Sequence, residues 1–517
     1  MSTFVLMELC KQSGVKNVIY QLLAPSITLN LDEVEENRSY AVIIDKGIRY
    51  CLTGNSGIYD EEASYVLLTD RTPTKQKLID NEIKQRKWIK HPNQIEASPD
   101  DVINSWENRF HFKLEKNEAH PGLRRPQLGA LHALLSHMLA PTETATVVLP
   151  TGTGKTETMM SALVAGRCNR VLVTVPTNAL RGQLFNKFKT LGILKKAKFE
   201  IVDKEALYPI VGVITSAFEG EDQLKSFIRQ CNVVITTMQI IDHAPEEQQD
   251  VYVSSFSNVF VDEAHHIVAS SWRKFSDRFP RHQLVQFTAT PFRNDGQRLD
   301  GKIIFNYPLR QAQKDGYYRT IHFLPVREYG EEAIADKAIA EKAVEKLKDD
   351  QKHYQHIMMA RCETKRRAQA VYKIYKELCP ELRIVLLYSG CPDYIENYNK
   401  VLKRDVDIVV CVNMLGEGFD LPELKIAAFH DIRKSLPITL QFSGRFTRTS
   451  RDAELGDASF VANIADLTVK QELDSLYEED ADWNILLADA NDNKVTDEKS
   501  LKTLLKDLSR ERMPKSL

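Results

Sequence analysis

The chain has 517 residues, more than one hydrophobic core supports, so about three domains are expected. Apolar residues make up 43 % and charged residues 27 %, the balance of an ordinary soluble globular protein. A formal net charge of −2 excludes a chain that is basic throughout, so any nucleic-acid surface has to be a local patch. The 8 cysteines are scattered without a C-x-x-C pair, which argues against a zinc or iron–sulfur site and for reduced thiols in the cytoplasm. Met1-Ser2-Thr3-Phe4 lacks the basic start of a signal peptide. No apolar run nears the roughly 18 residues that span a bilayer, so no membrane partner is expected.

Residues 1–115 carry no nameable motif and read as a small accessory α+β domain. Tyr40–Ile44 and Ile48–Leu52 flank Asp45-Lys46-Gly47 as a hairpin, and Ser64–Leu68 offers a third strand. Lys75–Lys90, polar and Lys-rich, is expected to be a helix whose charges form either a solvated face or a nucleic-acid surface. Asp45, Asp60, Glu61 and Glu62 show no spacing that suits a nuclease. From about 118 the pattern changes to strands alternating with helices, the sign of a parallel sheet. A helix over Pro126–Leu139 precedes apolar strands at 146–149, 171–175, 211–214, 232–235, 258–261 and 284–287, giving a first α/β domain over 116–320. A second alternating block, 321–470, has a charged helix from Gly330 to Lys348 and strands at 356–359, 384–387 and 408–412, but no phosphate loop. Residues 471–517 read as a charged helical tail.

Chemistry concentrates at Pro150-Thr151-Gly152-Thr153-Gly154-Lys155-Thr156, which lies between an apolar strand and a helix, the context a phosphate-binding loop requires. Gly152 and Gly154 let the backbone N–H groups turn toward one anion, at the positive end of the following helix. Lys155 would reach the β- and γ-phosphates of ATP, and Thr156 would hold Mg²⁺. Leu149 stands where the general pattern has its first glycine. Asp262 and Glu263, in Val261-Asp262-Glu263-Ala264-His265, follow a buried strand on the side where α/β folds bind ligands. Asp262 would bind Mg²⁺ through water, and Glu263 would orient and deprotonate the attacking water.

With Thr288-Ala289-Thr290-Pro291-Phe292-Arg293, Gly416-Glu417-Gly418-Phe419-Asp420-Leu421-Pro422 and Gln441-Phe442-Ser443-Gly444-Arg445-Phe446-Thr447-Arg448, these motifs resemble superfamily 2 helicases of the DEAH-box type. The resemblance covers about residues 120–455. It is strongest to the branch holding XPB-like helicases and restriction-enzyme motors of the type III Res kind. It implies two tandem RecA-like, doubly wound parallel-sheet domains with the small N-terminal α+β domain attached.

The family's roles then fall on particular residues. Arg124 and Gln127 match the adenine-contacting segment, or are simply a basic helix start. His265, Thr288 and Thr290 would link the γ-phosphate to the domain interface, and Gln441 would sense that phosphate. Arg445 and Arg448, three apart on one helical face, would be arginine fingers. Gly418 and Asp420 match the loop that couples nucleotide state to the gripped strand. Val412 and Asn413 depart from the family's threonine and acid. Thr177 and Arg181, in and beside Pro176-Thr177-Asn178-Ala179-Leu180, and Thr237, in Thr236-Thr237-Met238-Gln239, resemble strand-contacting motifs, with plain N-capping the alternative for Thr236. Arg361, Ser389 and Gly390 are further backbone-contact candidates.

The implied activity is a nucleic-acid-dependent ATPase working as a DNA helicase or translocase, in a setting such as genome defence or repair. The alternative is an ATP-gated sensor or clamp that recruits an effector without unwinding. Cleavage of nucleic acid would need a nuclease partner.

Overall fold

The computed structural model describes residues 2–93, 96–117, 119–140, 143–150, 152–264, 278–289, 299, 301–317, 321–412, 421, 423–430 and 456–463. The chain forms two compact units, one of residues 1–147 and 154–305, the other of 148–153 and 306–517.

The N-terminal segment is a run of short strands: β1 (Thr3–Leu6), β2 (Leu9–Ser13), β3 (Val18–Ala24), β4 (Ile27–Asn30), β5 (Glu33–Glu36), β6 (Tyr40–Asp45), β7 (Ile48–Thr53) and β8 (Tyr65–Thr69). Helix α1 (Lys75–Ile79), strand β9 (Gln85–Lys90) and helix α2 (Pro99–Ser105) follow. The hairpin expected at 40–52 is β6–β7, paired antiparallel from Tyr40↔Thr53 to Asp45↔Ile48, and β8 joins β7 in parallel. The expectation of a helix over Lys75–Lys90 is corrected. Helix α1 ends after one turn, where Asn81 takes a left-handed φ of +55°, a conformation that stops a helix. Residues 85–90 instead form the edge strand of a five-stranded sheet in the order β5-β6-β7-β8-β9. Trp88 turns into the core with Ile43, Leu52 and Leu67, and its indole donates to the Met7 carbonyl at 3.2 Å. Lys87 and Lys90 lie on this edge strand, where charge discourages pairing with another chain.

The first α/β layer begins with α3 (Arg125–Leu139), β10 (Ala145–Val148), α4 (Lys155–Ala165), β11 (Val171–Val175), α5 (Asn178–Phe188), β12 (Ile210–Val213) and α6 (Glu221–Arg229). It continues with β13 (Val233–Thr237), α7 (Met238–Asp242), α8 (Glu246–Ser255), β14 (Asn258–Asp262), β15 (Leu284–Thr288) and β16 (Lys302–Asn306). Its nine strands run β16-β10-β15-β14-β11-β13-β12-β3-β2. From β15 through β12 every pair is parallel. The strands β10, β11, β13 and β15 are buried at every position, because helices cover both faces and leave no polar side. Leu172, Val234, Val259 and Val261 meet Phe227 and Ile228 of α6 and Tyr252 of α8 on one face. Two strands of the N-terminal segment complete this sheet: β3 runs antiparallel to β12, from Val18↔Val213 to Gln21↔Ile210, and β2 covers β3.

The second unit holds β17 (Ile321–Val326), β18 (Ile357–Cys362), β19 (Ile384–Leu387), β20 (Ile408–Val412), β21 (Leu424–Phe429) and β22 (Ala458–Asn463). Their order is β17-β22-β21-β18-β20-β19, and all pairs are parallel. Alternate residues serve opposite faces, as the strand period of two requires. Met358, Ala360, Val410 and Ile426 pack under the helices Glu332–Asp350 and Lys365–Leu378. Met359, Val409 and Ala427 face Val401 of the helix Tyr394–Leu402. The α/β class with two parallel-sheet domains is therefore the fold of the chain. The charged helical tail expected over 471–517 lies outside the described residues.

Candidate nucleotide site and its neighbours

The buried strand β10 delivers the chain to the glycine loop, and two left-handed residues shape it: Gly152 at φ +91° and Gly154 at φ +104°. Gly154 is the N-cap of α4, so the helix N-terminus opens directly onto the loop. Thr153 is fully buried and closes the turn, its hydroxyl donating to the Pro150 carbonyl at 2.7 Å and its N–H to the same oxygen at 3.1 Å. Lys155 and Thr156 occupy the first turn of α4, where Thr156 is half-buried. Thr151 lies outside the described residues.

Strand β14 ends on Asp262, which is 5 % exposed. The chain then turns sharply: Glu263 has a φ of +49°, uncommon for a residue with a side chain, and its N–H donates to Asp262 Oδ1 at 3.1 Å. That turn carries the Glu263 carboxylate to Lys155, whose Nζ donates to Glu263 Oε1. The two side chains are only 9 % and 12 % exposed. The lysine expected on phosphate and the glutamate expected on water thus hold each other, a pairing that nothing in their spacing of 108 residues announces.

Gln127, 3 % exposed, lies against the same loop. Its Oε1 accepts from the Arg124 N–H at 2.7 Å, capping α3, and its Nε2 sits 1.9 Å from where a Cβ on Gly154 would be. Arg124 itself faces Glu115, with Nε 3.9 Å from Oε2. The sequence patterns did not reveal a second pair beside the loop, Glu157 and Lys187 at 2.8 Å. Burial alone would raise the Glu157 carboxyl's pKa, but Lys187 and, more distantly, Arg124 hold it below the usual range. Thr288 is fully buried at the end of β15, while His265 and Thr290 lie outside the described residues.

Thr156 and Asp262 supply a hydroxyl and a carboxylate, the hard oxygen donors that suit magnesium. Among the described residues no three His, Cys, Asp or Glu side chains gather to hold a metal by themselves.

Of the strand-contact candidates, Thr177 is exposed and caps α5, accepting from the Leu180 N–H at 3.3 Å. Arg181 is half-buried and donates to the Ile214 carbonyl at 3.3 Å, and burial lowers its pKa. Thr236 is a core residue rather than a cap, with its hydroxyl on the same Ile214 carbonyl at 3.2 Å. Thr237 is the N-cap of α7 without a side-chain capping bond. In the second unit, Ser389 and Gly390 form an exposed turn after β19, with Gly390 at φ +81°. Arg361 is 4 % exposed on β18, so in this conformation its guanidinium is not offered to solvent. Gly418, Asp420, Gln441, Arg445 and Arg448 lie outside the described residues. The buried thiols of Cys51 and Cys379 are pushed up to about 11 and that of Cys168 to about 12 by burial, which suits packing and not nucleophilic chemistry.

Residues 120–293, which contain the glycine loop, Asp262 and Glu263, match the family described as the type III restriction enzyme, res subunit. This stretch is thus similar to the res-subunit family over the part of the chain that holds the glycine loop and the acidic strand end. The chain is also similar to the ATP-dependent RNA helicase DRS1 of Eremothecium gossypii, 23 % identical over 373 residues. That alignment takes in 64 % of this chain and 46 % of the fungal protein, so the chain spans less than half of that helicase's length. Among solved structures it is similar to a fragment of an HsdR subunit of a type I restriction enzyme from Vibrio vulnificus, at 16 % identity and a TM-score of 0.49, covering 91 % of this chain and 88 % of the other. It is similar too to S. cerevisiae Dbp5 bound to RNA and ADP BeF3, at 13 % identity and a TM-score of 0.42, covering 69 % and 91 %. Among the described residues no helix is long and apolar enough to cross a membrane.

Proposed function

We propose that the chain is a nucleic-acid-dependent ATPase that works as a DNA helicase or translocase in the cytoplasm, with genome defence or repair as its setting. The observation that carries this reading is the meeting of Lys155 and Glu263 at the mouth of the glycine loop. In the proposed reaction Lys155 exchanges Glu263 for the β- and γ-phosphates of ATP. The released carboxylate then orients a water molecule and takes its proton. Thr156 and Asp262 would hold Mg²⁺, which supplies charge neutralisation on the phosphates. Arg124 and Gln127 are proposed to recognise adenine. Gln441, Arg445, Arg448, Gly418 and Asp420 take their sensing, finger and coupling roles from the family resemblance alone. Thr177, Arg181, Thr237, Ser389 and Gly390 are proposed to hold phosphodiester groups, a sequence-independent grip suited to a moving motor.

Steady-state ATP hydrolysis tests this, measured alone and with single-stranded, duplex and forked DNA and with RNA, at two salt concentrations. Stimulation by DNA that weakens with salt supports the motor and names its track. Stimulation without strand displacement or translocation favours a clamp that recruits an effector. Turnover indifferent to every nucleic acid overturns the proposal.

A further inference from the structure

The N-terminal hairpin β2–β3 is built onto the first motor sheet in a way that gives its turn, Gly14–Asn17, a defined place. Val18 pairs with Val213, so the turn emerges beside the C-terminal end of β12, the edge that also presents Thr237 at the end of β13. Asn17 latches it there. Its Oδ1 accepts from the Thr215 N–H at 2.9 Å and the Ser216 N–H at 3.1 Å, and its Nδ2 donates to the Ser216 carbonyl at 3.1 Å. The Thr215 hydroxyl adds a bond to the Lys16 carbonyl at 2.7 Å. Arg181 bonds the adjoining Ile214 carbonyl, so the turn and the Thr177–Arg181 segment grip one continuous stretch of chain. From behind, Tyr20 of β3 meets Phe185 of α5 edge-on at 5.6 Å, tying the hairpin to the helix that Thr177 caps.

So rigid a mounting holds two side chains out into solvent. Val15 is 96 % exposed, and Lys16 is also exposed and without an ion pair among the described residues. The shallow groove of about 490 Å³ beside the turn is a poor phosphate site, since Asp222 lines it and Glu221 adjoins it. The cationic, apolar tip is the part that suits a polyanionic strand.

Building on the proposed motor function, we propose that Val15 and Lys16 form an additional nucleic-acid contact on the first unit. Lys16 holds a phosphate of the strand gripped at Thr177 and Arg181, and Val15 lies against its sugars or bases. The test is anisotropy of a labelled single-stranded 20-mer, as DNA and as RNA, titrated with the full chain across a salt series. Lys16→Glu is expected to weaken binding about 5- to 20-fold and to reduce the salt slope by about one, while keeping the wild-type melting temperature. Asn17→Ala, which unlatches the turn without changing its charge, is expected to weaken binding in the same direction. Lys204→Glu, a charge reversal at a 92 % exposed side chain, serves as the control and is expected to leave affinity unchanged. Wild-type affinity in Lys16→Glu alongside a loss in Arg181→Glu overturns the hairpin contact alone. Absence of binding by the wild-type chain overturns the motor reading, and the contact with it. Equal losses in Lys16→Glu and Lys204→Glu reduce the effect to overall charge and also refute the contact.

Discussion

Replacing Lys155 and Glu263 separately and together tests whether their contact is a real energetic unit and a competitor of ATP. Both side chains are about nine-tenths buried. Removing one partner of a fully buried pair costs about 3–5 kcal/mol, because the other charge is left unpaired; the mouth of the loop admits some water, so about 2–3 kcal/mol is expected for Lys155→Ala. Glu263→Gln should cost less, since the amide oxygen of the replacement can still accept from the Lys155 ammonium. The double variant Lys155→Ala/Glu263→Gln leaves neither charge, so its loss should fall short of the summed single losses by about 1–3 kcal/mol. Urea unfolding followed by fluorescence, with the buried Trp106 in the first unit as reporter, measures the cycle. Nucleotide binding supplies the second readout. In the proposed reaction ATP displaces Glu263 from Lys155, so Glu263→Gln should bind ATP about tenfold more tightly than wild type while hydrolysing it roughly 10²–10⁴-fold more slowly. Lys155→Ala should lose turnover altogether. Single losses that add within about 0.5 kcal/mol, or unchanged ATP affinity in Glu263→Gln, would show that the pair is neither coupled nor displaced by nucleotide.

Gly154→Ala should lower stability by about 2–3 kcal/mol and impair nucleotide binding. The left-handed backbone costs roughly 1–2 kcal/mol, and the new methyl group displaces the Gln127 amide that caps α3; an unchanged melting temperature with normal ATP binding argues against this. Asn232→Ala should cost about 2–4 kcal/mol in denaturant unfolding, because the fully buried side chain accepts from the Ile210 N–H at 3.0 Å and donates to the Pro99 carbonyl at 2.8 Å. Glu157 contributes a pH dependence whose sign follows from its lowered pKa. The stability it supplies is present above the ordinary carboxylate pKa and is lost as the pH falls through the lower native value. Glu157→Gln should therefore be less stable than wild type at pH 7, with the gap closing in acid; a gap that widens on acidification contradicts the assignment.

Much of the architecture is written in local patterns. The runs Val171–Val175 and Ile408–Val412 are strands because only a sheet covered on both faces accommodates unbroken apolar sequence. The stretch Lys75–Lys90 misled because charge dominates its composition. What decides it is one left-handed Asn81 and one Trp88 that finds a core made by distant strands. Partners far apart in the chain leave no mark at either position, and this is true of Lys155 with Glu263, Glu157 with Lys187, and Asn17 with Thr215.

The phosphate loop, the acidic strand end and the two α/β blocks are legible from residues a few positions apart, because their backbone geometry is local. Three arrangements are not: β2 and β3 finishing the nine-stranded sheet, Gln127 bracing Gly154, and the pairing of the site's ammonium and carboxylate. They arise from burial and charge pairing across tens to hundreds of residues. Such contacts become definite only when the fold removes the alternatives that water would otherwise supply.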